Sequence, residues 1–163
     1  MADAATVVMK TTILPDEIAK TIEATTTVSP KDANDKWYYK LTSVTAASTD
    51  LMQGYYTDYT AVNANANPGT VATGDKVEFL YIKNTDSANH VYIVFDASTA
   101  SNSNGAAVKI SPNESFFARL PNTTVADIHA IGHDGSSAAT ATCIVCALLD
   151  DVAEGYFTCL FLM

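Results

Sequence analysis

Two cysteines and two histidines hold the spacings in this sequence that could do chemistry. Cys143-Ile144-Val145-Cys146 has the C-x-x-C spacing of zinc knuckles and thiol redox sites. It lies inside a β-branched run, where residues three apart point to opposite faces of a strand, so the two thiols do not converge on one metal. There is no second Cys pair, only Cys159 further on. The reading is small buried hydrophobes. Asp127-x-His129-x-x-x-His133-Asp134 carries the His spacing that binds zinc on a helix. On a strand the same imidazoles stand about 13 Å apart, unless Gly132 turns the chain sharply. Asp150, Asp151 and Glu154 could offer oxygens to calcium, but their spacing matches no EF-hand loop, and a solvated acidic turn is the simpler reading. No metal site and no cofactor are expected.

Catalysis finds equally little. No G-x-S-x-G, P-loop, dinucleotide fingerprint or H-E-x-x-H occurs, and the three His lie near turn residues with no evident nucleophile beside them. The expectation is a protein that is not an enzyme and has no catalytic residues. Aromatic residues are the remaining candidates, since residues 36–62 hold the only Trp and five of the eight Tyr. Trp37, Tyr38, Tyr55, Tyr56 and Tyr59 could form a glycan-stacking platform or a subunit contact, because a flat apolar ring with a polar edge suits a pyranose. The competing reading is core and cross-strand packing.

The elements that must position these residues read as strands. From Lys76 to Leu149 come KVEFLYIK, HVYIVFD, AVKI, ESFFARL, ADIHAIG and TATCIVCALL, short runs of Val, Ile, Tyr, Phe and Thr bounded by Gly, Pro, Asn, Asp or Ser. In Lys76–Lys83, alternation puts Lys76, Glu78, Leu80 and Ile82 on one face and Val77, Phe79 and Tyr81 on the other. Apolar residues on both faces mark a central strand, as they do in His90–Asp96. Asn84 to Asn89 reads as a hairpin link. Ser111-Pro112-Asn113-Glu114 and His133-Asp134-Gly135-Ser136 read as turns. The fold class is therefore all-β, an antiparallel β-sandwich.

Residues 1–35 differ from the rest. Leu14-Pro15-Asp16-Glu17 could open a short helix that places Ile18 and Ile22 on one face. The alternative is an extended arm, since Ala24-Thr25-Thr26-Thr27-Val28 is β-prone and Pro30 follows. An arm can lie across a neighbouring subunit. Residues 36–163 then form one sandwich domain, with Trp37–Leu41 and Tyr55–Val62 as strands and Tyr156–Phe161 as a last strand that must pair at home or on a neighbour.

Composition limits the partners. Net charge is −9 and Arg119 is the single arginine, which argues against a nucleic-acid surface. The apolar tail GYFTCLFLM is too short to span a bilayer, and the opening MADAATVVMKTTILP lacks a basic n-region, so the expectation is a protein made in the cytoplasm with no membrane partner. Three Cys, an odd number, fit reduced thiols.

The pattern Ile82-x-Asn84-Thr85, then Val91-Tyr92-Ile93, then Ile110-x-Pro112-x-Glu114-Ser115-x-Phe117, then Ala141 to Val145, resembles small β-sandwich structural proteins of tailed bacteriophages. It covers about half the chain and departs where Asn113 stands for the usual Gly of the turn, a residue that can still adopt a left-handed conformation. The resemblance implies a jelly-roll-like virion protein that decorates or cements a capsid. It also implies a homotrimer or higher homo-oligomer, with the major capsid protein or other virion subunits as partners. A tail, neck or fibre-attachment component forming rings or filaments is the nearest alternative, and a carbohydrate-binding module the second.

Overall fold

The computed structural model of the 163-residue chain describes residues 4–13, 20–32, 35–56, 69–120 and 122–150. It divides into two units, Met1–Ala33 and Asn34–Met163.

The first unit is a hairpin. Strands β1 (Ala5–Ile13) and β2 (Lys20–Val28) pair antiparallel, with Ala5 opposite Val28 and Thr12 opposite Thr21. Both are rich in Thr, Val and Ile, and β-branched side chains favour the pleated backbone. One face carries Val7, Met9, Ile22 and Ala24; the other carries Thr6, Val8, Lys10, Thr25 and Thr27, closed by a Lys10–Glu23 ion pair at 3.8 Å. The helix expected from Leu14 onward is corrected from Lys20 on: Ile22 lies in a strand, because the β-branched run through Val28 outweighs its spacing from Ile18. Residues 14–19 lie outside the described part.

The second unit is a sandwich of two four-stranded sheets. Its strands are β3 (Asp35–Val44), β4 (Thr49–Asp50), β5 (Lys76–Asn84), β6 (His90–Val94), β7 (Val108–Ile110), β8 (Ser115–Arg119), β9 (His129–His133) and β10 (Ala141–Asp150). One sheet has the order β3-β10-β5-β8 and the other β4-β9-β6-β7, with every pairing antiparallel. Apart from β6 and β7, consecutive strands change sheet, which is the double Greek-key winding of a jelly roll.

The inner faces supply the core. Tyr38, Val77, Leu80, Ile82, Val145, Ala147 and Leu149 of the first sheet meet Val91, Ile93, Ile110 and Ala130 of the second, all shielded from water. At one point the backbones themselves touch. Gly132 N donates to Thr45 O at 2.9 Å, and a Cβ on Gly132 would stand 2.1 Å from the Ala139 carbonyl oxygen. Gly132 thus does not turn the chain between the histidines; it lets one sheet approach the other.

Two strand readings shift. The register between β10 and β5 shifts at Leu148/Leu149, passing from Phe79 to Val77, so Val77 joins Leu80 and Ile82 on the inner face while Phe79 and Tyr81 face outward. Asn84–Asn89 is not a hairpin link, because β5 and β6 lie in different sheets. It is an arch, held by Asn84. This buried side chain donates to Asn89 O at 2.8 Å and Ile110 O at 3.2 Å, and accepts from Asp86 N at 3.0 Å. The Ser111–Glu114 turn makes a second crossing, with Asn113 at φ 64° and Glu114 Oε2 accepting from Ser111 N at 2.8 Å. Of the expected strand Tyr55–Val62 only Tyr55, which bridges Thr70, and Tyr56 are described; residues 57–62 lie outside the described part, as does Tyr156–Phe161.

Candidate functional site

The outer face of the β3-β10-β5-β8 sheet is built in rungs. Register places Trp37, Leu148, Phe79 and Arg119 in one; Tyr39, Cys146, Tyr81 and Phe117 in the next; and Leu41, Ile144, Lys83 and Ser115 in the third. A sheet face turned to solvent ordinarily carries polar residues; here most positions are aromatic or aliphatic. Phe79 sits between Trp37, edge-on at 6.0 Å, and Phe117 at 5.5 Å. Phe79 and Leu148 are almost fully covered, whereas Tyr39 is 43% and Leu41 63% exposed. The β5–β8 side adds two exposed cations, Lys83 and Arg119, and a Tyr81–Ser115 hydrogen bond at 3.1 Å. The result is an apolar, ring-rich surface rimmed by polar groups.

The five aromatic candidates are not brought together. Trp37 lies on this outer face, but Tyr38 is fully buried one residue on, pointing into the core. Tyr56 is buried as well, its hydroxyl donating to Asp75 Oδ2 at 2.6 Å. Tyr55 is 51% exposed, and Tyr59 lies outside the described residues. Tyr39, Leu41, Tyr81, Phe117 and Ile144 were missed as site residues. The signal was present in β5 and β10, whose apolar residues occupy both parities. That pattern reads as a strand covered on both faces, and equally fits one face covered by a partner.

The candidate metal and thiol residues are separated too. Cys143 faces the core and Cys146 the outer face. Burial pushes the Cys143 thiol up to about 12, with Asp86 adding to the effect, and burial also raises Cys146. Both are therefore poor thiolates. His129 Nδ1 lies 2.9 Å from Ser98 O and its Nε2 3.1 Å from Asp50 Oδ1, a bridge that joins β9, β4 and the loop after β6. His133 Nδ1 accepts from Gly135 N at 2.9 Å, and its ring packs on Tyr92. Among the described residues no three His, Cys, Asp or Glu side chains gather as metal ligands, and no helix is long and apolar enough to cross a membrane. A cleft of about 310 Å³ runs between β3 and β4, lined by Lys40, Thr42, Thr45, Thr49, Asp50 and Gln53, and Lys40 reaches Gln53 O across it at 3.4 Å.

No protein-family model, curated protein or solved structure matches this chain.

Proposed function

We propose that this chain is a structural virion protein of a tailed bacteriophage that decorates and cements the capsid as a homo-oligomer. One observation carries the reading: the outer sheet face with its three rungs of apolar side chains, a surface suited to wide contact with another subunit. The jelly roll supports it, since this winding recurs in viral capsid domains, although it also occurs in lectins and does not by itself fix a function. A cement protein works by holding several subunits at once, so that modest contacts add through multivalency against internal pressure. The β5–β8 side, with Tyr81, Phe117, Lys83 and Arg119, is the capsid-facing part of this surface. A glycan platform is less well supported, because Tyr38 and Tyr56 are in the core.

The test is co-sedimentation of the purified protein with capsids that lack it. Saturable binding that delays thermal rupture of the capsids, and that Lys83→Glu with Arg119→Glu weakens, is the expected result. Indifference to capsids, with binding to glycans instead, overturns it.

A further inference from the structure

The loop that follows β6 is locked by one carboxamide. Asn104 Nδ2 donates to Ser98 Oγ and to Thr99 O, both at 3.1 Å, and Asn104 Oδ1 accepts from Ala106 N at 2.9 Å. Ser98 Oγ gives its own proton to Asp96 Oδ1 at 2.5 Å, so it meets Asn104 as an acceptor. The lock reaches the sheet: Ser98 O lies 2.9 Å from His129 Nδ1, and Ala100 N donates to Ser48 Oγ at 2.9 Å.

The residue after this carboxamide is Gly105, and of the 7 glycines it alone follows an asparagine. Its N–H is exposed and makes no hydrogen bond among the described residues. With no Cβ it also leaves the approach to the Asn104 side chain open. The bond from Ala106 N to Asn104 Oδ1 polarises Cγ and is placed to hold an oxyanion formed there. A nucleophile, an electrophile and an oxyanion donor thus stand on consecutive residues, 104 to 106.

We infer that Asn104-Gly105 is a self-modification site that opens this loop irreversibly. The Gly105 amide nitrogen loses its proton to hydroxide and attacks Asn104 Cγ. The bond from Cγ to Nδ2 breaks, ammonia leaves with a proton from water, and a succinimide closes. Water then adds to one of the two imide carbonyls. Opening at one gives aspartate at position 104; opening at the other gives isoaspartate, which inserts a methylene into the backbone. The net change is water in and ammonia out, with no oxidation. Either product puts a carboxylate where Nδ2 stood, so Thr99 O and Ser98 Oγ lose their donor beside the Asp96 carboxylate that already holds Ser98, and the loop loosens at Ser98 and Ala100. While the loop stays closed the same bonds delay the reaction, since both Nδ2 contacts must open before ammonia leaves.

The experiment ages the full chain in mildly alkaline buffer, native and in denaturant, and separates Asn104 from its aspartate and isoaspartate products by peptide mapping with mass spectrometry. Conversion is expected in the native protein, about tenfold slower than in the denatured chain, as the loss of two hydrogen bonds requires. Ser98→Ala is expected to narrow that gap by freeing Nδ2. Gly105→Ala, whose methyl meets no atom, is expected to slow conversion in both states. Asn104→Asp sets the product in place and is expected to speed hydrogen exchange at Ser98 N and Ala100 N while the core strands stay protected. Native Asn104 that stays intact while the denatured chain converts overturns the inference, as do equal rates in the two states or unchanged exchange in Asn104→Asp. None of these readouts involves capsids, so they hold or fail apart from the proposed function.

Discussion

Asn84 Nδ2 donates to the carbonyl oxygen of Ile110 at 3.2 Å, and this bond ties the end of β5 in one sheet to the end of β7 in the other. The same side chain bonds Asn89 O and Asp86 N, so its amide serves both crossings at this end of the sandwich. Asn84→Ala strands the buried Ile110 acceptor, the part-buried Asn89 acceptor and the part-buried Asp86 donor. Leaving buried polar groups unmet costs about 1–3 kcal/mol each where relaxation or water does not rescue them, so a net loss of about 2–3 kcal/mol is expected. Chemical denaturation reads it, and a variant within about 0.5 kcal/mol of the wild type, as for a featureless surface site, would show that the arch does not depend on Asn84.

Gly132 is held by a different constraint. A methyl group there meets Ala139 O at 2.1 Å and Val44 O at 3.0 Å, both backbone atoms that cannot swing aside like a side chain. Gly132→Ala should cost at least about 3 kcal/mol, the upper range for overpacking, by forcing the sheets apart. Gly105→Ala, with no atom near the added carbon, is the control and should melt close to the wild type.

Acid should weaken the sandwich through its loops. Asp86, Glu114 and Asp134 cap the three arches at one end, and Asp96 caps the loop after β6. Each accepts hydrogen bonds from backbone N–H groups or serine hydroxyls that hold its carboxyl below the ordinary range. A carboxyl whose folded value is lowered contributes stability that is complete above its unfolded value, about 4, and lost as pH falls through the folded one. Melting temperature should thus hold level above about pH 5 and drop below about pH 4. Asp134→Asn, deprived of one such group, should show a shallower drop than the wild type. Parallel curves would remove Asp134 from the explanation.

Most of the strands from Lys76 to Leu149 were legible in the sequence, because β-branched runs and turn residues act locally. Asn113, read as able to adopt a left-handed turn, sits at φ 64°. The opposed faces of Cys143 and Cys146 likewise follow from strand period alone. What strand period could not supply was pairing. Asn84–Asn89 has the composition of a hairpin loop, and only the partners of β5 and β6 show that it crosses between sheets. The outer face was hidden for a related reason: alternation sets Phe79 and Tyr81 opposite Leu80 and Ile82, but the partner sheet decides which set faces the core, and Val77 joins the inner set only through a bulge that leaves no mark in the sequence.

Those thiol faces can be checked chemically. Cys143, with its thiol pushed up to about 12, is expected to resist alkylation in the folded protein at pH 8 and to react once denatured; Cys146, raised less and half-buried, should react slowly. Peptide mapping by mass spectrometry separates both from Cys159. Fast labelling of Cys143 in the native state would mean that the β10 core opens readily.

Tyr56 and Asp75 form a pair whose loss should be felt as stability. The hydroxyl donates to Asp75 Oδ2 at 2.6 Å, the same oxygen accepts from Ala72 N at 2.8 Å, and both side chains are wholly buried. Tyr56→Phe keeps the ring and its packing but removes the one side-chain donor that Asp75 is seen to use. A hydrogen-bond acceptor left unmet in the core costs about 1–3 kcal/mol, so a loss of that size is expected. Asp75→Asn, combined with Tyr56→Phe, should cost less than the two single changes added, because the partners share one interaction. A double-mutant cycle by denaturant unfolding measures this coupling, and simple additivity would show that the 2.6 Å contact adds nothing beyond the separate packing of its two members.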